Sequence, residues 1–298
     1  AAVRQDFWKG KGTLTLNVSD IFFTRKFRVY NFSDFHTYNG ERVRESRIGM
    51  LTFSYRFGKN DTTQRRRGKP GEQRMGGDAG DGETPLAKGG YEIGTLGVGS
   101  VTQLMQDSIA GVIDNGYALV RPPGHHAVRA GGMGYCLFSN LGVAISVAKK
   151  ENPGIRIAVV DWDVHHGNGT QDIFFDDPDV LTISLHQDRL YPRNSGMREE
   201  RGVGTNINIP LPAGTGNGGY LYAFETVVKP ALKKFKPDLI AVASGFDSSV
   251  YDPLGRMLVT AQGFAEMTKV LMESAADTAK NRLVIAHEGG YNAVYSPF

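Results

Sequence analysis

Two different periods of apolar residues divide the chain. Near its start, Leu14, Leu16 and Val18 alternate with Thr15 and Asn17, and Leu51, Phe53, Tyr55 and Phe57 alternate with Thr52, Ser54 and Arg56. Runs of period two predict strands with one apolar face. From about residue 90 the pattern changes, and continuous apolar runs at 117–121, 156–162, 180–185, 206–210, 239–244 and 283–287 predict buried strands. Helices are predicted between them at about 91–114, 138–150, 218–235 and 261–279, the first weakened by Gly94, Gly97 and Gly99. Apolar strands interleaved with amphipathic helices describe an α/β fold with a mostly parallel sheet covered on both faces. Long loops such as 187–205 are expected to shape the mouth of any site.

Residues 59–75 separate the two patterns. Lys59, Arg65, Arg66, Arg67, Lys69 and Arg74 outnumber Asp61 and Glu72, a balance of +4, so the formal net charge of +3 leaves −1 for everything else. A basic run bearing glycine and proline reads as a flexible, solvated linker, and nucleic-acid binding is not expected. The predicted divisions are a strand segment at 1–58, the linker at 59–75 and an α/β domain at 76–298. With 40% hydrophobic residues in 298, the chain can bury a sizeable core. Its one cysteine, Cys136, excludes an internal disulfide, suits a reducing compartment and is expected to be a small buried hydrophobe. No run approaches the ~20 apolar residues of a membrane helix, and no basic-then-apolar leader opens the chain. The expected location is cytoplasmic, with no membrane partner for 76–298.

The chemistry gathers where apolar runs stop. After Ile157 to Val160 come Asp161, Asp163 and His165, and in an extended strand residues two apart share a face. Two carboxylates and a neutral imidazole suit a cation such as zinc, while a buried Asp–His pair without metal is the blander alternative. Arg121-Pro122-Pro123-Gly124 precedes the adjacent imidazoles of His125 and His126, which suggests a general base and acid near a metal-bound water. Leu239 to Ala243 deliver Asp247, and Leu283 to Ala286 deliver His287-Glu288-Gly289-Gly290-Tyr291. Strand ends are where open α/β sheets bind ligands.

RPPGHHA, GYCLFSN, DWDVHHGNGTQ, ISLH, SGFDSS-x-x-DPLG and HEGGY occur in this order. They resemble the zinc-dependent histone deacetylase and acetylpolyamine amidohydrolase family, in its class II and bacterial branch, from about Gly76 to Phe298. The resemblance implies the arginase/deacetylase three-layer fold and hydrolysis of N-acetyl amides to acetate and a free amine. It implies that Asp163, His165 and Asp247 hold zinc and that His125 and His126 are the tandem general base and acid. Asp161 and Asn168 would then partner those histidines, and Tyr291 would donate to the developing oxyanion. Asp161, Asp163, His165, Ser184 and Leu185 match a structural monovalent cation site, with K⁺ as the candidate ion. Gly134, Tyr135 and Tyr191 match substrate-tunnel walls, and Glu83 the family's acidic contact to the substrate backbone. His166, His186 and His287 are expected to be satisfied structural histidines.

The first 58 residues resemble instead the closing strands of an outer-membrane β-barrel of the TonB-dependent-receptor type. The chain therefore reads as a chimera in which a β-hairpin-like appendage precedes a deacetylase-like domain truncated at both ends. Acetyl-lysine in proteins and acetylated polyamines both remain open as substrates, and the oligomeric state is unread. Two rival readings stay open: an arginase-like binuclear-metal hydrolase, and an inactive, non-enzymatic fragment.

Overall fold

A computed structural model of the chain describes residues 2–7, 12–18, 27–33, 36–42, 49–55, 77–79, 81–86 and 88–296. The linker expected at 59–75 lies outside these residues. The chain divides into two units, Ala1–Glu72 and Gln73–Phe298.

Among the described residues of the first unit every strand pair is antiparallel. Strands β1 (Ala2–Phe7), β2 (Gly12–Val18) and β5 (Gly49–Tyr55) form one sheet in the order β1-β2-β5. Strands β3 (Phe27–Ser33) and β4 (His36–Arg42) form a second. The alternating runs around Leu14 and Phe53 fall in β2 and β5, where these two residues are register partners. The appendage has five described strands and is more than the expected hairpin.

The second unit opens with a short antiparallel pair, β6 (Gly77–Asp78) and β7 (Pro85–Leu86). There follow α1 (Gly90–Ile109), β8 (Asn115–Ala118), α2 (Asn140–Glu151), β9 (Ile157–Asp161), α3 (Asn168–Phe174), β10 (Val180–Gln187) and β11 (Asn206–Leu211). Helix α4 (Asn217–Ala223) then passes through a π turn (Phe224–Val228) into α5 (Lys229–Phe235), and β12 (Leu239–Ser244), α6 (Ala261–Thr278) and β13 (Leu283–His287) close the unit. Six strands form one sheet in the order β11-β10-β9-β12-β13-β8, and every neighbouring pair is parallel.

Strand β9 is buried on both faces, which explains its unbroken apolar run. Ile157 and Val159 face a core completed by Met105 of α1, Ile145 of α2 and Phe174 of α3. Ala158 and Val160 face the opposite core, with Phe224, Leu232, Phe264 and Leu271 from α4 to α6. These are the three layers of helix, sheet and helix.

Several predicted boundaries are corrected. Helix α1 stops at Ile109, not 114, because Gly111 turns the chain at φ 72° and Val112 bonds back to the Asp107 carbonyl. Gly94 within it allows a close approach, since a Cβ there would press on the Leu137 and Phe138 side chains. Strand β8 lies at 115–118 rather than 117–121, as the Val120 amide turns back onto the Ala118 carbonyl. The helix predicted over 218–235 widens to π geometry just before Pro230, which has no N–H for a regular helical bond. Helix α3, too short for a period to show, was not predicted.

The connections from β9 run outward to β10 and β11, then return across the sheet to β12. Helix α3 lies on one face and α4 to α6 on the other, so the carboxyl ends of β9 and β12 flank a crevice.

Candidate metal and acid–base site

Asp163, His165 and Asp247 converge at that crevice, each buried, with one ligand atom from each within 4.8 Å of the others. Strand alternation does not produce this convergence, because β9 ends at Asp161. The chain bends instead. Asp161 Oδ1 accepts from the Asp163 amide (3.0 Å), and Asp163 Oδ1 accepts from the His165 amide (2.9 Å), two carboxylate-capped turns in succession. Backbone amides aim the acids: Gly289 donates to Asp163 Oδ2 (2.8 Å) and Val164 to Asp247 Oδ1 (2.8 Å). His165 Nδ1 then lies 3.0 Å from Asp163 Oδ1 and 3.1 Å from Asp247 Oδ2. A Cβ at Gly289 would collide with both carboxylates, so only glycine permits this approach.

Two acids and one imidazole at this spacing fit a tetrahedral divalent cation with one open position. The local charges favour such an ion. Burial, and then the charge of Asp163, push the Asp247 carboxyl up to about 7. Burial opposes charge on His165, yet its bonds to Asp163 and Asp247 raise it to about 10. Among the described residues this is the one such group.

The paired histidines stand beside it with ring centroids 4.0 Å apart. Their partners differ in charge. His125 Nδ1 is 2.9 Å from Asp161 Oδ2, whereas His126 Nδ1 is 2.7 Å from Asn168 Oδ1, at the first residue of α3. Burial works against a charged His125, but Asp163 and Asp161 outweigh it and hold its pKa well above the usual value. For His126, burial and the charge of His125 act together and push the pKa well below.

Two residues without a role in the sequence reading organise this site. Glu288 is fully buried, and its Oε2 accepts from the amides of Gly124 (2.6 Å) and His125 (3.0 Å), which anchors the turn that carries the imidazoles. Burial pushes its carboxyl up to about 7. An acid directly after a buried apolar strand was the available signal. Asp81 accepts from the Gly134 amide (2.7 Å) and the Tyr191 hydroxyl (3.2 Å), and its Asp-Gly turn signature was the clue.

Gly134 and Tyr135 both have positive φ, 55° and 67°, and the Tyr135 amide donates to Thr84 Oγ1 (3.1 Å). A tyrosine in that region carries strain on the order of 1–3 kcal/mol that its surroundings must hold. Tyr191 stands edge-on to His126 at 5.0 Å and near His165 at 6.3 Å, and Tyr135 stands edge-on to Tyr291 at 6.0 Å. The Tyr291 amide donates to Asp252 (2.7 Å). Burial and the charges of Asp163 and Asp247 raise its phenol, which therefore remains a donor. Glu83 is exposed and lines a groove of about 730 Å³ with Tyr191, Arg189 and Arg193.

Ser184 of β10 is the register partner of Asp161, and Leu185 is buried beside it. His166 bonds Ser195 and Gln171, His186 bonds Ser184 and the Gly196 carbonyl, and His287 bonds Tyr117. All three are satisfied, and burial first of all lowers each pKa. Cys136 is buried and unpaired, and it is more than a hydrophobe because its Sγ accepts from the His126 amide at 3.4 Å.

Fold and site together define an α/β protein with a candidate metal centre beside paired imidazoles at the carboxyl edge of a parallel sheet. The chain belongs to the histone deacetylase domain family, whose model matches residues 51–296. A model of the outer membrane protein beta-barrel family matches residues 1–55. The histone deacetylase-like amidohydrolase of Pseudomonas aeruginosa is 47% identical over 229 residues, 74% of this chain and 60% of that protein. A probable deacetylase of Archaeoglobus fulgidus is 38% identical over 216 residues, 71% of this chain and 60% of that protein. The crystal structure of the HDA15 HD domain superposes with a TM-score of 0.67 at 37% identity, covering 72% of this chain and 63% of its own. The chain thus spans less than two thirds of these proteins. No helix among the described residues is long and apolar enough to cross a membrane.

Proposed function

We propose that the chain is a zinc-dependent amidohydrolase that cleaves N-acetyl amides to acetate and a free amine. The observation that carries this reading is the approach of Asp163, His165 and Asp247 to within 4.8 Å beside the His125–His126 pair. Among the described residues a single three-donor group is found, which favours a one-metal site over the binuclear site of an arginase-like hydrolase.

Zinc held by these three residues would polarise the amide carbonyl and lower the pKa of an attacking water to about 7. His126, neutral and oriented by Asn168, is in the state to take a proton from that water. His125, bonded through Nδ1 to Asp161, is placed to steady the negative charge that develops nearby, so both proton-transfer roles expected of the pair fall to His126 in this reading. A C–O bond forms as the carbonyl π pair moves onto oxygen; when that pair returns, the C–N bond breaks and the His126 imidazolium gives its proton to the leaving nitrogen. Tyr291 supplies a hydrogen bond to the oxyanion, a contribution on the order of 3 kcal/mol. Tyr135 and Tyr191 flank the aliphatic chain that carries the amide, with Glu83 at the rim toward the substrate backbone.

A monovalent cation, K⁺ by preference, is proposed to bind at Asp161, Asp163, His165, Ser184 and Leu185, supported by the pairing of Asp161 with Ser184. Residues 1–58 are proposed to derive from a barrel of the TonB-dependent-receptor type, joined through 59–75 to the catalytic domain 76–298; the match of residues 1–55 supports this. The free Cys136 supports a reducing compartment such as the cytoplasm.

The test is acetate release by the zinc-loaded chain from acetyl-lysine peptides and from acetylated polyamines in parallel. Turnover should fall about 10²–10⁴-fold in His126→Ala and 10²–10³-fold in Tyr291→Phe. Undiminished turnover in both variants would refute the assignment.

A further inference from the structure

One carboxylate reaches both tyrosine-bearing walls of the site. Asp81 Oδ2 accepts from the Gly134 amide at 2.7 Å and from the Tyr191 hydroxyl at 3.2 Å, while Oδ1 accepts from the Glu83 amide at 3.0 Å. Three residues on, the buried Thr84 accepts from the Tyr135 amide at 3.1 Å. Gly134 and Tyr135, at φ 55° and 67°, turn two successive N–H groups toward the 81–84 turn, the concave backbone arrangement that takes an anionic oxygen. A Cβ at Gly134 would meet the rings of His126 and Tyr191, so the wall is seated directly against the imidazole. Tyr191 stands edge-on to His126 at 5.0 Å.

We infer that Asp81 is a substrate-positioning residue, the strut that sets the separation of the Tyr135 and Tyr191 walls and so the fit of an unbranched acyl-amine chain between them. The inference rests on the amidohydrolase reading for its substrate but not for its geometry. Removing the carboxylate frees the Gly134 amide and the Tyr191 hydroxyl together, and each wall can then move independently. The histidine pair and the metal-type cluster keep their own anchors, Glu288 and the amides of Val164 and Gly289. Loss of Asp81 therefore acts on substrate fit before it acts on the chemical step.

The experiment uses the full chain loaded with zinc, with an acetyl-lysine peptide as substrate. Asp81→Ala is expected to raise KM about tenfold or more with kcat within about threefold, and Asp81→Asn to recover most of the loss, because an amide oxygen still accepts from Gly134. Adding Tyr191→Phe should cost less in the Asp81→Ala background than in the parent chain. Amide hydrogen exchange is measured in parallel on 132–137 and 188–194, which should both lose protection in Asp81→Ala. Unchanged exchange in both segments, or a fall in kcat with KM unchanged, overturns the proposal. If the parent chain turns over no acetyl amide but both segments still lose protection, the strut stands and the amidohydrolase reading falls.

Discussion

His126 Nδ1 lies 2.7 Å from Asn168 Oδ1, a neutral partner where the adjacent His125 has the carboxylate of Asp161. The amide orients the imidazole without adding charge, so burial and the charge of His125 keep its pKa low. Asn168→Asp places a negative charge at that point and should raise it. The acidic limb of the kcat/KM profile should then shift to higher pH by about one unit or more. A pH–rate profile superposing on that of the parent chain would remove His126 as the group whose deprotonation matters.

Metal binding should release protons. His165 is raised to about 10 and Asp247 to about 7, so at neutral pH His165 carries a proton and Asp247 is partly protonated, and serving as ligands displaces both. The sign follows: zinc affinity climbs as pH rises from about 6 to 8, roughly tenfold per unit for each proton displaced. Calorimetry in buffers of different ionisation enthalpy measures the number directly. Binding that is independent of pH would contradict the geometry assigned to the cluster.

Glu288 is expected to matter through two backbone amides. Glu288→Ala leaves the buried N–H groups of Gly124 and His125 without their acceptor, at a cost of about 1–3 kcal/mol each. Denaturant unfolding would show that loss, together with reduced turnover as the imidazole turn loosens. Glu288→Gln keeps one oxygen acceptor and should sit between Ala and the parent. Equal stability for Ala and parent would mean the anchor is dispensable.

The proposed division at 59–75 predicts a protease result. Arg65, Arg66, Arg67 and Arg74 offer trypsin a cluster of sites in the proposed linker. Brief digestion should yield a resistant fragment beginning between 66 and 75 and running to the carboxyl end. Primary cleavage inside 90–290 would count against the boundary.

Much of the central sheet was legible because burial on both faces demands unbroken apolar runs. The runs at 180–185, 239–244 and 283–287 each begin or end within two residues of β10, β12 and β13. Boundaries set by single hydrogen bonds were not legible: the turn of Val120 onto Ala118 and the reversal at Gly111 are events of one or two residues with no period. The π turn before Pro230 belongs to the same class.

The sequence by itself determined which side chains could do chemistry, because acids and imidazoles stood out at the ends of apolar runs. Only the tertiary structure decided how they meet. Asp163 and His165 are aimed by bends beyond the end of β9, and Asp247 arrives from a strand more than eighty positions later. Glu288 and Asp81 were invisible as organisers because each acts on backbone amides far along the chain, Gly124 and His125 for one and Gly134 for the other. A local pattern records what faces the core, whereas a bond across such separations exists only once the sheet order brings its two ends together.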